Sequence, residues 1–167
     1  MSRGSNKSTS TKKLVEKIEK MTRDKITREK VVSLNDFRQL KKKEEPKTIL
    51  VIDDDETMRQ ALKRIFESEG FKVLLASDGT QLSNVLDESQ LELIVLDIGL
   101  PWINGFELCK LLRENEELKK IPLVFISART SELDIRRGFE LGADDYIKKP
   151  FDVNEIKNTV RTLLKLR

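Results

Sequence analysis

The sequence predicts an α/β protein built on a doubly wound sheet of five parallel strands. Two observations lead there. Beyond Pro46, five short apolar runs, most of them continuous and rich in β-branched residues, read as strands buried on both faces. Between and after these runs, apolar residues recur at helical spacing, so strands and helices alternate and the crossovers are right-handed.

The first strand is Ile49-Leu50-Val51-Ile52. Met58, Ala61, Leu62, Ile65 and Phe66 then make one apolar face of a helix from about Thr57 to Glu69, which Gly70 stops. Val73-Leu74-Leu75 is the second strand, and Leu82, Val85 and Leu86 mark the helix after it. Leu93-Ile94-Val95-Leu96 is the third, followed by a stripe of Leu108, Leu111 and Leu112. Leu123-Val124-Phe125-Ile126 is the fourth. Its helix has a thin stripe, Ile135 and Phe139, interrupted by Gly138 at a cost of about 1 kcal/mol relative to alanine. Tyr146-Ile147 is the fifth strand, and Val153, Ile156, Val160 and Leu163 give the last helix. Roughly 120 residues suffice for this core.

Residues 1–46 differ in kind. They carry 14 Lys+Arg against 7 Asp+Glu, a net of +7, whereas residues 47–167 carry 18 against 22, a net of −4. The pattern is a basic extension on an acidic body. Ser2 to Lys13 reads as disordered, Leu14, Ile18 and Met21 as one face of a short helix, and Ser33 to Asp36 as a capping box ahead of Phe37 and Leu40. Neither helix is stable alone at this length.

Composition narrows the chemistry. With no histidine, the usual general base and most zinc sites are gone, and Cys109, the single cysteine, reads as a small buried apolar side chain. No apolar run approaches the roughly 18 residues that span a bilayer, and Met1 to Lys13 lacks a secretory hydrophobic stretch, so the expectation is a cytoplasmic protein. What remains is carboxylates, hydroxyls and lysines.

Those residues gather at one end of the strands. Asp53, Asp54 and Asp55 follow the first strand, Asp97 the third, Ser127 the fourth and Lys149 the fifth. In open α/β sheets the site lies outside the carboxyl ends of strands, where strand order reverses. Taken singly, each residue has a plainer reading: a helix N-cap for Asp54 or Asp55, the start of a turn for Asp97, a turn residue for Ser127, a solvated lysine for Lys149. Together they make a site. Carboxylates about 4 Å apart repel by about 4 kcal/mol at an effective dielectric near 20, so a cation is required, and Mg²⁺ suits hard oxygen ligands beside a phosphoryl oxygen. An ion, an ammonium and a hydroxyl around one carboxylate are what phosphoryl transfer needs, with Asp97 as the nucleophile.

Four motifs carry a resemblance: Ile49-Leu50-Val51-Ile52-Asp53-Asp54-Asp55; Ile94-Val95-Leu96-Asp97-Ile98-Gly99-Leu100-Pro101 with Gly105; Phe125-Ile126-Ser127-Ala128; and Gly142-Ala143-Asp144-Asp145-Tyr146-Ile147-Lys148-Lys149-Pro150-Phe151. Residues 47–167 resemble a response-regulator receiver domain of two-component signalling, a (βα)5 flavodoxin-like fold. The resemblance implies that Asp97 accepts phosphate from a histidine kinase or phosphotransfer protein, and that Asp53, Asp54, Asp97 and the Gly99 backbone carbonyl hold Mg²⁺. It implies that Ser127 and Lys149 contact the phosphoryl group, and that Tyr146 turns inward as Ser127 moves, remodelling the face of the fourth helix, fifth strand and fifth helix. Phosphorylation-dependent dimerisation through that face is also allowed. Asn104 stands where an acidic residue is common, and Gly99 and Arg129 occupy positions that vary with phosphoryl lifetime, which leaves that lifetime open.

The resemblance stops at residue 47, and three readings of the extension compete: a protein-docking segment that folds on binding, a nucleic-acid arm, and a solvated tail. A charge of +7 attracts phosphates, yet Phe37 alone is available for stacking on bases. Leu14, Val15, Ile18 and Met21 give too small an apolar face for a membrane surface. The leading expectation is a phosphorylation switch that binds a downstream protein, with a phosphorylation-gated nucleic-acid binder as the alternative. An enzyme acting on an external substrate is not expected, because no second acidic residue closely follows Asp97 as an acid/base.

Overall fold

The residues from Thr48 on form five parallel strands in the order β2-β1-β3-β4-β5, alternating with five helices. The structure is a computed structural model and describes residues 6–31 and 45–165. The chain divides into two units between Glu45 and Pro46.

In the first unit, α1 spans Asn6–Val31 as one continuous helix. The expectation of a disordered stretch reaching Lys13 therefore fails from Asn6 onward. No glycine or proline interrupts these residues, Glu19 pairs with Arg23 one turn away at 3.7 Å, and the Thr22 hydroxyl donates back to the Ile18 carbonyl at 2.8 Å. Leu14, Val15, Ile18 and Met21 are exposed. The capping box at Ser33 to Asp36, with Phe37 and Leu40, lies outside the described residues.

The second unit runs β1 (Thr48–Ile52), α2 (Glu56–Ser68), β2 (Lys72–Ala76), α3 (Gly79–Glu88), β3 (Leu93–Leu96), α4 (Gly105–Glu114), β4 (Leu123–Ser127), α5 (Glu132–Glu140), β5 (Asp145–Lys148) and α6 (Val153–Lys165). Every residue of β1, β3 and β4 is buried, as their unbroken apolar runs require. Alternation sends Leu50, Ile52, Ile94, Leu96, Leu123 and Phe125 to one face, where α3, α4 and α5 pack. Ile49, Val51, Leu93, Val95, Val124 and Ile126 face α2 and α6. Each helix of this unit begins on a side-chain cap, with Asp55, Asp78, Asn104, Ser131 and Asp152 accepting a backbone N–H from the first turn.

Three apolar positions depart from their expected faces. Leu111 is 56% exposed, and α4 buries Phe106, Leu108, Cys109 and Leu112 instead. Val153 is also exposed, ahead of the buried Ile156, Val160 and Leu164. In α5 the roles are reversed: Phe139 is 46% exposed while Gly138 is buried. A β-carbon at Gly138 would stand 3.1 Å from the Tyr146 ring and 3.2 Å from the Phe125 ring, so the glycine lets the helix backbone seat on two aromatics. It is a packing residue, not an interruption.

The amino-terminal ends of the strands are tied by Arg113. Its guanidinium donates to the carbonyls of Gly142 at 2.9 Å, Ile121 at 2.6 Å and Lys119 at 3.2 Å, and pairs with Asp144 at 3.1 Å. Asp144 in turn accepts the Leu123 N–H at 2.8 Å. One side chain thus joins α4 to the approaches of both β4 and β5.

Candidate functional site

At the other end of the strands the order reverses between β2-β1 and β3-β4-β5, leaving a crevice over β1 and β3. Asp53 leaves β1 and Asp97 leaves β3, and the Asp97 N–H still donates to the Ile52 carbonyl at 2.9 Å. The shared register of β1 and β3 therefore brings the two carboxylates to one level. Asp53 is 2% and Asp97 9% exposed, while Asp54 beside them is open to solvent. One oxygen from each of Asp53, Asp54 and Asp97 lies within 4.8 Å of the others.

Asp55 does not join this cluster. Its carboxylate caps α2 by accepting the Met58 N–H at 3.1 Å, and its own N–H donates to Asp53 Oδ1 at 2.9 Å. The plainer reading of an Asp after a strand thus holds for Asp55 and not for Asp54.

Lys149 reaches the cluster from the end of β5, its N–H bonded to the Ser127 carbonyl at 2.8 Å. The ammonium lies 2.8 Å from Asp53 Oδ2 and 3.6 Å from Asp97 Oδ2. The Lys149-Pro150 peptide bond is cis. Burial pushes the Asp97 carboxyl above its ordinary range and the nearby Asp53 adds to this. The Lys149 charge and the backbone amides of Gly99 and Ile98 pull the other way. Gly99 lies beside this carboxyl without crowding it, since a β-carbon there would make only an ordinary contact, 3.9 Å from Asp97 Oδ2.

Ser127 ends β4 and is 2% exposed, its hydroxyl accepting the Arg129 N–H at 3.1 Å. The Tyr146 ring is already turned inward, stacked at a tilt 5.9 Å from Phe125, and its hydroxyl donates to the Arg129 carbonyl at 2.5 Å. Burial raises the Tyr146 pKa, while the Ser127 hydroxyl beside it acts in the opposite sense. Phe106 meets Phe125 edge-on at 5.5 Å and carries the Arg137 guanidinium 4.7 Å above its ring. An unbroken set of rings therefore runs from α4 through β4 to β5.

Two features near the site escaped the sequence reading. Asn104, noted only as a departure, caps α4 by accepting the Phe106 N–H at 2.8 Å. Arg59 on α2 donates to the Asp53 carbonyl at 2.8 Å. Its only sequence signal is a basic residue six positions after Asp53, which reads as solvated surface.

The donor set suits a hard divalent cation. Three carboxylates converge with no histidine in the chain and Cys109 buried elsewhere, bonded weakly to the Leu141 carbonyl, and among the described residues the Asp54 carboxylate has no hydrogen bond or ion pair. Among the described residues no helix is long and apolar enough to cross a membrane.

Comparison with known proteins agrees with this geometry. The family model described as the response regulator receiver domain matches residues 49–161. The transcriptional regulatory protein CpxR of Escherichia coli K12 is 42% identical over 117 residues, covering 70% of this chain and 49% of CpxR. The aerobic respiration control protein ArcA of the same organism is 41% identical over 116 residues, covering 70% and 48%. The chain spans about half the length of the curated relatives it matches. Among solved structures, the receiver domain of the Francisella response regulator 1452 superposes with a TM-score of 0.66 at 32% identity, covering 71% of this chain and 97% of that one. The Vibrio cholerae chemotaxis protein CheY4 gives 0.66 at 25% identity, covering 71% and 99%. With sheet order, crevice and motifs in agreement, the chain belongs to the response regulator receiver domain family.

Proposed function

We propose that this chain is a phosphorylation-dependent switch that accepts a phosphoryl group on Asp97 from a histidine kinase or phosphotransfer protein and thereby changes the surface it offers a partner protein. The observation that carries the reading is the convergence of Asp53, Asp54 and Asp97 within 4.8 Å, with the Lys149 ammonium on two of the three. In the transfer, an Asp97 oxygen attacks the donor phosphorus. The P–N bond to the donor imidazole breaks, its electron pair stays on nitrogen, and an acyl phosphate forms. Lys149 balances charge on the phosphoryl oxygens, and Ser127 supplies a hydroxyl to one of them. Asp53, Asp54, Asp97 and the Gly99 carbonyl are the groups that would hold Mg²⁺, which when bound neutralises the carboxylates and the incoming phosphoryl group. No external substrate is turned over, because the group transferred ends on the chain itself.

The test is Mg²⁺-dependent labelling by acetyl phosphate, read by intact mass on the wild type and on Asp97→Asn. One added phosphoryl group on the wild type alone is expected. Labelling that persists in the variant overturns the assignment of Asp97.

A second reading, a phosphorylation-gated nucleic-acid binder acting through residues 1–46, is favoured by one observation. The described helix α1 carries Lys12, Lys13, Lys17, Lys20 and Arg23, all exposed, within an extension of net charge +7. A salt-titrated DNA and RNA binding assay with and without residues 1–46 separates the two. Loss of all extension-dependent binding at moderate salt removes this second reading.

A further inference from the structure

We propose that Arg59 is a positioning residue for the cation-binding carboxylates, an inference that rests on the reading of Asp53, Asp54 and Asp97 as the ion's ligands. Asp54 is exposed and its carboxylate has no partner among the described residues, so no side-chain bond there holds it in the cluster. Its place is set by the backbone on either side. On the carboxyl side, Asp55 is fixed by capping α2 and by donating its N–H to Asp53 Oδ1. On the amino side, Asp53 is fixed at four points. Its N–H donates to the Ala76 carbonyl at 3.3 Å, its two carboxylate oxygens are taken by Asp55 N–H and Lys149, and its carbonyl accepts from Arg59 Nη1 at 2.8 Å.

The Asp53 carbonyl is the start of the peptide unit that leads into Asp54. Arg59 is the side chain that grips it, and Arg59 is half-buried and anchored in turn by its own N–H on the Asp55 carbonyl at 2.9 Å. The guanidinium, the cap and the α2 backbone thus close a small frame around Asp54. The Arg59 bond to the Asp53 carbonyl does not involve the carboxylate, so it would hold the turn in register were Asp53 to leave Lys149 for an ion.

Arg59 has two physically opposed effects on a cation. As a nearby positive charge it repels the ion, and removing it would tighten binding. As a hydrogen-bonding support of the ligand backbone it improves binding, and removing it would weaken binding. The proposal commits to the second.

The experiment titrates MgCl2 into the full chain by calorimetry at fixed ionic strength, comparing the wild type with Arg59→Gln and Arg59→Lys. A parallel series measures the Mg²⁺ concentration for half-maximal acetyl phosphate labelling. Arg59→Gln is expected to weaken Mg²⁺ binding about tenfold, the lower range for losing a hydrogen-bonded support of a metal ligand. The half-maximal concentration rises by the same factor, and Arg59→Lys recovers part of both. Equal or tighter binding by Arg59→Gln overturns the proposal, including the case in which only its melting temperature falls. Where Arg59→Gln does not fold, Arg59→Met keeps the buried stem and is judged by the same two outcomes. A wild type that binds no Mg²⁺ overturns the reading of the carboxylates and this proposal together, whereas normal wild-type binding with an unaffected variant overturns this proposal alone.

Discussion

Lys149 sits closer to Asp53 than to Asp97, 2.8 Å against 3.6 Å, although Asp97 is the residue read as the phosphoryl acceptor. The ammonium therefore rests on the carboxylate that a cation would claim, and a bound ion would compete with Lys149 for Asp53. In Lys149→Ala, Mg²⁺ affinity is expected to rise about threefold to tenfold, as one like charge leaves the cluster. Stability without Mg²⁺ is expected to drop by about 3 kcal/mol, because a nearly buried carboxylate loses its partner. Urea unfolding with and without Mg²⁺ measures both, and the added ion restores much of the loss. An affinity that falls instead would place Lys149 among the supports of the ion and not among its competitors.

Asp97→Asn is expected to abolish labelling and to stabilise the cation-free fold at neutral pH. The folded carboxyl titrates above its unfolded value, so the folded state holds the proton more tightly and its ionisation costs stability. For the wild type, stability is lost as pH rises through the raised folded value and recovered as pH falls toward the unfolded value near 3.8. The advantage of the asparagine variant is thus largest at pH 7 and shrinks toward pH 4. Urea midpoints across that range, without divalent ions, report it.

Glu69 shows the opposite sign. Arg161, which hydrogen-bonds it at 2.6 Å, is the main cause holding its carboxyl below the ordinary value, and Lys157 at 3.3 Å adds to this against some desolvation. The folded pKa is depressed, so the contribution is present above the unfolded value of 4.5 and fades as pH falls through the folded one. Glu69→Gln is expected to lower stability at pH 7 and to flatten the acid limb of the stability curve below pH 4.5. An acid limb as steep as in the wild type would show that the α2-to-α6 pairing contributes nothing there.

Gly105→Ala is expected to destabilise by about 3 kcal/mol, at the upper end of ordinary overpacking. A β-carbon at this position would stand 2.5 Å from the Asp97 carbonyl oxygen and 2.5 Å from Ile98 Cα, both backbone atoms that cannot swing aside. The first turn of α4 would have to withdraw from the loop that carries Asp97. Denaturant unfolding reads the loss, and a variant as stable as the wild type would mean that this loop yields freely.

The gathering of Asp53, Asp97, Ser127 and Lys149 at one end of the sheet was legible because each stands at or just past the end of a strand's apolar run. The sheet followed for the same reason, since Ile49–Ile52, Leu93–Leu96 and Leu123–Ile126 have no polar face. Arg59 and Arg113 were not legible. Their partners are mainly backbone carbonyls, which every residue possesses, so no pattern of side chains announces them. Gly138 misled because helix propensity counts its missing side chain as a loss, while packing against Phe125 and Tyr146 makes that absence a requirement. The separate roles of Asp54 and Asp55 needed geometry, because adjacent carboxylates of one type differ only in where the backbone aims them.

The alternation of buried residues in β1, β3 and β4 makes the sheet a partition between two rooms. On one side the rings of Phe106, Phe125 and Tyr146 connect the crevice to α4 and α5. On the other, α2 and α6 share a separate core and are fastened to each other through Glu69. The ring contacts lie in one room only, and the Glu69 pairs lie in the other. A partner that gripped α2 and α6 would therefore meet a surface set by one core, and a partner on the far wall a surface set by the other.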